Sequence, residues 1–290
     1  MKLSLMILNL IGPVFFDQNL QLKENPDINK YEELLRVVSE AGYRAVDLTD
    51  MECSEFGIDT LRELLDKYKL DCGSITLFED YACKDENLGL RVKEYTFKVI
   101  QDAQNIGCKT IMLAPVQGHP EMTREEKQQC LINNLKTVVN YASERDITIC
   151  VEDFPSIDMP MCRSEDMEYL LSNVAGLKLT YDTSNMIVEG EDPIKYYDRL
   201  KKYVGYCHLK DVRFAEKNEQ KGDHTRDGRR LIPTIHGKGC IDFRTAIERL
   251  REDDYQGYLA VEYAPDREEE DTVKILSDER RYFENILQNV

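Results

Sequence analysis

Three acidic residues and one histidine stand at the ends of short apolar segments in the second half of this chain. Glu152, Asp182 and Glu262 each lie at or next to the end of such a segment, and His208 lies near the end of another. Three carboxylates and one imidazole suit a hard or borderline divalent cation such as Mn²⁺, Mg²⁺ or Co²⁺, with Zn²⁺ as a further candidate. The residue types therefore predict one divalent-cation site, provided that the fold brings the four segment ends together.

Each of these residues also has a purely structural explanation. An acidic residue at a strand end commonly caps the helix that follows, as Asp182 could before Thr183 and Ser184. A single histidine in an apolar segment is commonly a core residue whose ring nitrogens are hydrogen-bonded. Four such residues on four successive predicted strands are much less expected by chance, so we favour the metal-site interpretation.

Short apolar segments rich in Val, Ile, Leu and Tyr alternate with amphipathic segments along the chain. The short segments are typical of buried strands, and the amphipathic ones, such as KYEELLRVVSEAG and DFRTAIERLRED, have the apolar spacing of helices. Eight strands are predicted, at 3–8, 44–49, 72–78, 110–115, 147–152, 177–182, 204–210 and 257–263.

The alternation of strands and helices indicates βαβ units in a parallel sheet, and eight units predict a single α/β domain over residues 1–290, a (β/α)8 TIM barrel. An open doubly wound sheet is the alternative. No G-x-G-x-x-G follows the first predicted strand, which disfavours a dinucleotide-binding fold. In a barrel the carboxyl ends of all strands meet at one mouth, as the predicted cation site requires.

One connection, residues 211–240, is unusually long and separates the seventh predicted strand from its helix. Its middle part is polar and rich in charge. A loop of this length is commonly functional or disordered. As a βα connection of a barrel it is expected to lie over the active-site face.

Four further residues are candidates for substrate contacts. Lys210 shares a strand face with His208, so it is expected to point inward and to steady a substrate oxyanion. His119 follows the fourth predicted strand and His236 precedes a GKG turn, and a structural role in the loop or turn is the alternative for each. Arg213, in the long connection, could meet an acidic group, although charge runs commonly serve solvation alone.

Composition limits the classes of partner. A net charge of −17 opposes binding to nucleic-acid phosphates. No apolar run reaches the ~20 residues of a membrane span. The apolar N-terminus resembles a weak signal peptide, but Asn9 and Pro13 interrupt it, and a buried strand fits it better. Nine cysteines without a C-x-x-C pair are expected to be reduced thiols in a cytoplasmic protein.

Several short motifs resemble the xylose-isomerase-like barrel superfamily, which includes ketose 3-epimerases, hydroxypyruvate isomerase, inosose dehydratase and apurinic-site endonucleases. The motifs are VEDF (151–154), YDTSNM (181–186), CHLKD (207–211), GKGCIDF (237–243) and AVEY (260–263), and GYRAVDL (42–48) resembles a common second-strand signature. The resemblance implies a TIM barrel that holds one divalent cation and acts on a small sugar or polyol. Relatives are often dimers or tetramers, and the sequence does not decide between a monomer and a homo-oligomer.

The resemblance to the epimerase branch implies that Glu152 and Glu262 are an acid/base pair as well as ligands. One would remove the proton next to a ketose carbonyl to give a cis-enediolate, and the other would return a proton to the opposite face. The chain departs from the family at Asn185, where many relatives have a histidine. Asn185 can hydrogen-bond a hydroxyl but cannot act as a base. Asp158 is the nearest counterpart of a glutamate that epimerases place after the strand-five ligand.

Two functions follow from the resemblance. The first is an isomerase or epimerase of a free or phosphorylated sugar, and the alternative is a dehydratase of a keto-polyol or oxidised sugar that loses a β-hydroxyl after the same proton abstraction. A barrel that binds a sugar without turnover is less favoured. An apurinic-site endonuclease is disfavoured because the additional histidines of that branch are missing from the matching positions.

Overall fold

The structure is a computed structural model that describes residues 1–17, 19–114, 119, 121–157, 159–262 and 271–290. Its strands are β1 (Lys2–Met6), β2 (Ala45–Thr49), β3 (Asp71–Leu77), β4 (Thr110–Leu113), β5 (Thr148–Glu152), β6 (Lys178–Asp182), β7 (Val204–Leu209), β8 (Asp211–Phe214), β9 (Asp223–His224), β10 (Arg230–Thr234) and β11 (Tyr258–Glu262). Eight of them form a closed parallel barrel in the order β1-β11-β7-β6-β5-β4-β3-β2. The predicted TIM barrel is confirmed, and each predicted strand overlaps one barrel strand.

Helices follow the barrel strands and surround them. They are α1 (Gly12–Phe15), α2 (Ile28–Glu40), α3 (Asp50–Phe56), α4 (Ile58–Tyr68), α5 (Glu86–Ile106), α6 (Arg124–Ser143), α7 (Ser164–Asn173), α8 (Pro193–Leu200), α9 (Phe243–Glu252) and α10 (Thr272–Asn289), with 3₁₀ helices at Asn185–Glu189 and Lys201–Tyr203. Among the described residues, no helix combines the length and the apolar character needed to cross a lipid bilayer.

The main hydrophobic core lies between the barrel and its helices. Alternate strand residues such as Leu5, Ile75 and Val151 are fully buried in it, because successive side chains of a strand point to opposite faces. The barrel interior is more polar: Tyr206 of β7 donates a hydrogen bond to Asp47 of β2. These two strands are not neighbours in the sheet, so this contact crosses the inside of the barrel.

The long connection after β7 contains regular structure. β8, β10 and β9 form a three-stranded antiparallel sheet, which we call the insertion sheet. Asp211, the first residue of β8, accepts hydrogen bonds from the backbone N–H groups of Gly237 (2.8 Å) and Gly239 (2.9 Å), and so ties the start of the connection to its end. Most of the charged residues of this connection lie between the strands and not on them.

A buried glutamate stands at the start of α3. Glu52 is fully buried, and its Oε2 accepts a hydrogen bond from the backbone N–H of Thr49 at 3.1 Å, while its Oε1 has no hydrogen-bond partner among the described residues. Burial raises the pKa of Glu52 to about 7, although Thr49 opposes the shift. Since the usual value is 4.5, Glu52 holds a proton in the folded protein over a pH range in which the unfolded chain has lost it.

The contact at Gly239 predicts the effect of adding one methyl group. A Cβ at this position would lie 2.0 Å from Oδ1 of Asp211 and 2.4 Å from the carbonyl oxygen of Val212. We expect Gly239→Ala to loosen the base of the insertion sheet and to destabilise it by roughly 1–3 kcal/mol, the usual cost of overpacking. The measurement is thermal unfolding together with limited proteolysis within 211–240. Gly12→Ala, which meets no atom within 4 Å, is the control, and equal protease resistance of both variants would contradict this account.

The raised pKa of Glu52 predicts how stability depends on pH. Its protonated form contributes stability that is complete below about pH 4.5 and is lost as the pH rises through about 7. Glu52→Gln keeps the shape and a hydrogen-bond acceptor without the charge, so it should exceed the wild type in stability at pH 8 by on the order of 3 kcal/mol, and by much less at pH 5. Urea unfolding at both pH values measures the difference. Glu55→Gln, an exposed change on the same helix, should show no such pH dependence; a Glu52→Gln difference that stays constant with pH would refute the assignment.

Candidate active site

The four predicted cation ligands meet at the mouth of the barrel. Glu152, Asp182, His208 and Glu262 each offer one ligand atom, and these atoms all lie within 4.8 Å of one another. The strand register explains the meeting: Asp182 of β6 is paired with His208 of β7, and β11 lies on the other side of β7. The four side chains form a cluster that we call the carboxylate cluster.

The two carboxylate oxygens of Asp182 have different surroundings. Its Oδ1 accepts hydrogen bonds from the backbone N–H groups of Ser184 (2.7 Å) and Asn185 (2.8 Å), while the buried Oδ2 has no hydrogen-bond partner among the described residues. Burial, together with Glu262 and Glu152, raises the pKa of Asp182 in spite of the nearby Lys210. Asp182 therefore caps the turn that follows β6 through Oδ1, and its Oδ2 is available to a cation.

His208 lies between two carboxylates and is fully buried. Its Nδ1 is 2.7 Å from Oε1 of Glu152, and its Nε2 is 4.0 Å from Oδ2 of Asp47. Burial alone would lower the pKa of His208, but Glu152, Glu262 and Asp47 raise it to about 9. The neighbouring carboxylates thus favour the positively charged form of His208.

Lys210 points into the same cluster, as the alternation of strand side chains predicted. Its Nζ lies 3.2 Å from Oε1 of Glu262 and donates a hydrogen bond to Oδ1 of Asn185 at 3.4 Å. Burial alone would raise the pKa of Glu262, but Lys210 and His208 together lower it. Glu262 is thus kept ionised although it is largely buried.

Asn185 is held by three contacts. Its backbone N–H is bonded to Asp182, its side-chain Nδ2 donates to the carbonyl oxygen of Asp153 at 2.9 Å, and its Oδ1 accepts from Lys210. The carbonyl of Asp153 therefore fixes which end of the amide faces Lys210.

His236 does not fit the substrate contact considered for it. The ring is buried, its Nδ1 lies 2.6 Å from Oε1 of Glu279 in α10, and its Nε2 donates a hydrogen bond to the carbonyl oxygen of Leu209 at 2.7 Å. Both ring nitrogens are therefore bound within the protein. His236 joins the last helix to the end of β7, which is the structural alternative.

The remaining candidates lie outside the carboxylate cluster or outside the described residues. Nε2 of His119 lies 2.7 Å from Oδ2 of Asp80. Arg213 forms a two-pronged ion pair with Glu219, at 2.7 and 2.8 Å. Asp158 lies outside the described residues. Substrate contacts of these three residues stay predictions.

Two acidic residues near the cluster were missed by sequence reasoning. Asp153 follows Glu152 and is fully buried, and neither carboxylate oxygen has a hydrogen-bond partner among the described residues. Burial, followed by the charges of Asp182 and Glu152, raises its pKa well above the usual value. Asp223 of β9 keeps an exposed surface, but it is close enough to Lys210 and to Glu262 for their charges to affect its pKa, which partial loss of solvent raises. Only its place in the insertion sheet brings Asp223 near the cluster, and no local motif marks it.

The donor set of the carboxylate cluster fits a divalent cation. Three carboxylates and one imidazole are ligands that Mg²⁺, Mn²⁺, Co²⁺ and Zn²⁺ accept. Their mutual repulsion in a buried site, and the unpartnered Oδ2 of Asp182, would both be relieved by a positive ion.

Comparison with protein families gives one match over most of the chain. Residues 35–286 match the model of the xylose isomerase-like TIM barrel family. An inosose dehydratase of Lacticaseibacillus casei is 23% identical over 266 residues, which cover 83% of this chain and 85% of that protein.

Solved structures with the same fold have little sequence in common with this chain. A xylose isomerase-like TIM barrel protein from Mycobacterium smegmatis in complex with magnesium has a TM-score of 0.75 at 17% identity, and the match covers 99% of this chain and 97% of that one. D-psicose 3-epimerase from Clostridium cellulolyticum H10, with D-tagatose, has a TM-score of 0.75 at 12% identity and covers 99% of each chain. At such identities these structures support the fold alone. With the family match over residues 35–286, the chain belongs to the xylose isomerase-like TIM barrel family.

Proposed function

We propose that this chain is a metal-dependent isomerase or epimerase of a sugar, a sugar phosphate or a related keto-polyol, which moves a proton at the carbon next to a carbonyl group. One observation carries the proposal: Glu152 and Glu262 belong to the same buried cluster of possible cation ligands, and they come from different strands. Two carboxylates beside one cation are the groups that such a proton transfer requires.

The two glutamates have different surroundings, which suggests different tasks. Glu262 is ionised beside Lys210, so it is ready to accept a proton from carbon. Glu152 is paired instead with the imidazole of His208, whose Nδ1 lies 2.7 Å from its Oε1. We therefore assign the base to Glu262 and the return of the proton to Glu152.

The cluster Glu152, Asp182, His208 and Glu262 would hold the cation, which would supply the positive charge that polarises the substrate carbonyl. Lys210 adds a second positive charge close to Glu262, where it can stabilise negative charge on a substrate oxygen. The carbonyl of Asp153 and Lys210 together hold the amide of Asn185, so this side chain can hydrogen-bond a substrate hydroxyl in a defined orientation.

Dehydration is the second candidate, and the relatives favour it. The inosose dehydratase of L. casei matches most of this chain. A dehydratase begins with the same removal of a proton by a carboxylate. The hydroxyl group on the neighbouring carbon then takes up one proton and leaves as water. Asn185, which stands where many relatives have a histidine, leaves room for a reaction other than epimerisation.

The shared first step gives a direct test of the proposal. With Mn²⁺ and a panel of ketoses and keto-polyols in D₂O, the wild type should exchange a carbon-bound hydrogen, measured by proton NMR. Glu262→Gln and Glu152→Gln should each reduce the rate by at least about 100-fold, because each removes an acid/base group. Glu63→Gln, an exposed change on α4, should keep the wild-type rate.

The products separate the two candidates. An isomerase or epimerase gives a product of unchanged mass with deuterium on carbon, whereas a dehydratase gives an unsaturated ketone that absorbs in the ultraviolet and has lost one water. A Glu262→Gln variant that exchanges hydrogen as fast as the wild type would contradict the assignment of the base. A wild type that binds Mn²⁺ but neither exchanges hydrogen nor releases water with any substrate of the panel would contradict both functions.

A further inference from the structure

A buried carboxylate lies inside the barrel beneath the carboxylate cluster. Asp47 of β2 is 2% exposed, and it accepts hydrogen bonds from the hydroxyl of Tyr206, at 2.8 Å to Oδ1 and 2.9 Å to Oδ2, and from Oγ of Ser74 at 3.0 Å. The hydroxyl of Tyr206 is also 3.2 Å from Oγ of Ser4. Burying a carboxylate is costly even with these donors, and apolar side chains could fill a barrel interior at lower cost. A buried carboxylate at this position is therefore expected to have a role beyond packing.

The His208 ring lies between Asp47 and the carboxylate cluster. Nδ1 of His208 is on the side of the carboxylate cluster, 2.7 Å from Glu152, and Nε2 is on the side of Asp47, 4.0 Å from its Oδ2. Nε2 has no hydrogen-bond partner among the described residues. At 4.0 Å the interaction with Asp47 is electrostatic and is not a hydrogen bond, but between buried groups an attraction at this distance is substantial.

We propose that Asp47 is a positioning residue for the cation site: it favours the proton on Nε2 of His208, so that Nδ1 presents its lone pair to the cation. The proposal rests on the cation site assigned under the proposed function. A metal-binding histidine commonly has its second nitrogen paired with a carboxylate or a carbonyl, which sets the tautomer and the ring orientation. Tyr206 and Ser74 hold Asp47 in place by their hydrogen bonds.

If Asp47 positions His208, strands from the first half of the barrel also contribute to the cation site. All four proposed ligands lie on β5, β6, β7 and β11, whereas Asp47, Ser74 and Ser4 lie on β2, β3 and β1. Tyr206 links the two halves because it lies two residues before His208 in β7 and so points to the same side of the strand. Its ring also meets the His208 ring edge to face, with centroids 5.8 Å apart.

The first test is the affinity of the full-length chain for Mn²⁺, measured by electron paramagnetic resonance of the free ion. Asp47→Asn should weaken binding by about 10–100-fold, the usual effect of removing such a partner. Tyr206→Phe keeps the Asp47 carboxylate but removes one hydrogen-bond donor to it, so the loss of Mn²⁺ affinity should be smaller. This variant still tests the proposal if Asp47→Asn does not fold. Glu52→Gln removes another buried carboxylate away from the cluster and should bind Mn²⁺ like the wild type.

The second test reads the tautomer itself, which a merely structural role of Asp47 would not change. The chain has four histidines, so ¹⁵N NMR of histidine-labelled protein loaded with ¹¹³Cd²⁺ is simple enough to interpret, and His208→Gln identifies the His208 signals. In the wild type we expect coupling of ¹¹³Cd to Nδ1 and a proton on Nε2, and in Asp47→Asn weaker coupling or a mixture of tautomers.

Three outcomes would overturn the proposal. In the first, Asp47→Asn and Tyr206→Phe both keep the wild-type Mn²⁺ affinity. In the second, ¹¹³Cd couples to Nε2. Either result removes the role of Asp47 and leaves the proposed function standing. In the third, the wild type itself binds neither ion, which removes the cation site and the proposed function with it.

Discussion

The repulsion among three carboxylates buried at the mouth of the barrel is the interaction to which the rest of the site responds. Glu152, Asp182 and Glu262 offer ligand atoms within 4.8 Å of one another, in surroundings that water barely reaches. Each has a partner that lowers the cost: His208 for Glu152, the backbone N–H groups after β6 for Asp182, and Lys210 for Glu262. These partners compensate only part of the charge, and a divalent cation would compensate the rest.

The fold can maintain this repulsion because the barrel is closed. A closed sheet gives its strands no freedom to separate, so side chains at the strand ends must stay close. The insertion sheet follows β7 at the same end of the barrel. Asp211 holds the two ends of this segment together by accepting hydrogen bonds from the backbone N–H groups of Gly237 and Gly239. Asp223 is thereby brought near Lys210 and Glu262. The surroundings of the cluster thus include residues that are distant from it in the sequence.

The barrel and the four clustered side chains could be predicted from the sequence because both depend on local patterns. Short apolar strands, amphipathic helices and a polar residue at a strand end are visible within a few residues, and barrel closure then brings the ends together. The insertion sheet could not be predicted, since β9 has two residues, and β8 and β10 have four and five residues with charged side chains among the apolar ones. The bonds of His236 to Glu279 and Leu209, and the contact of Asp47 with Tyr206, join residues far apart in the chain, and no local pattern indicates them.

The central claim is that Glu152, Asp182, His208 and Glu262 hold one cation, and a crystal grown with Mn²⁺ tests it most directly. An anomalous difference map recorded at the manganese absorption edge would locate the ion independently of any assumption about substrate. We expect one strong peak within coordination distance of all four side chains, with Nδ1 as the histidine ligand. A map without a peak at the cluster, or with its strongest peak elsewhere in the molecule, would contradict it.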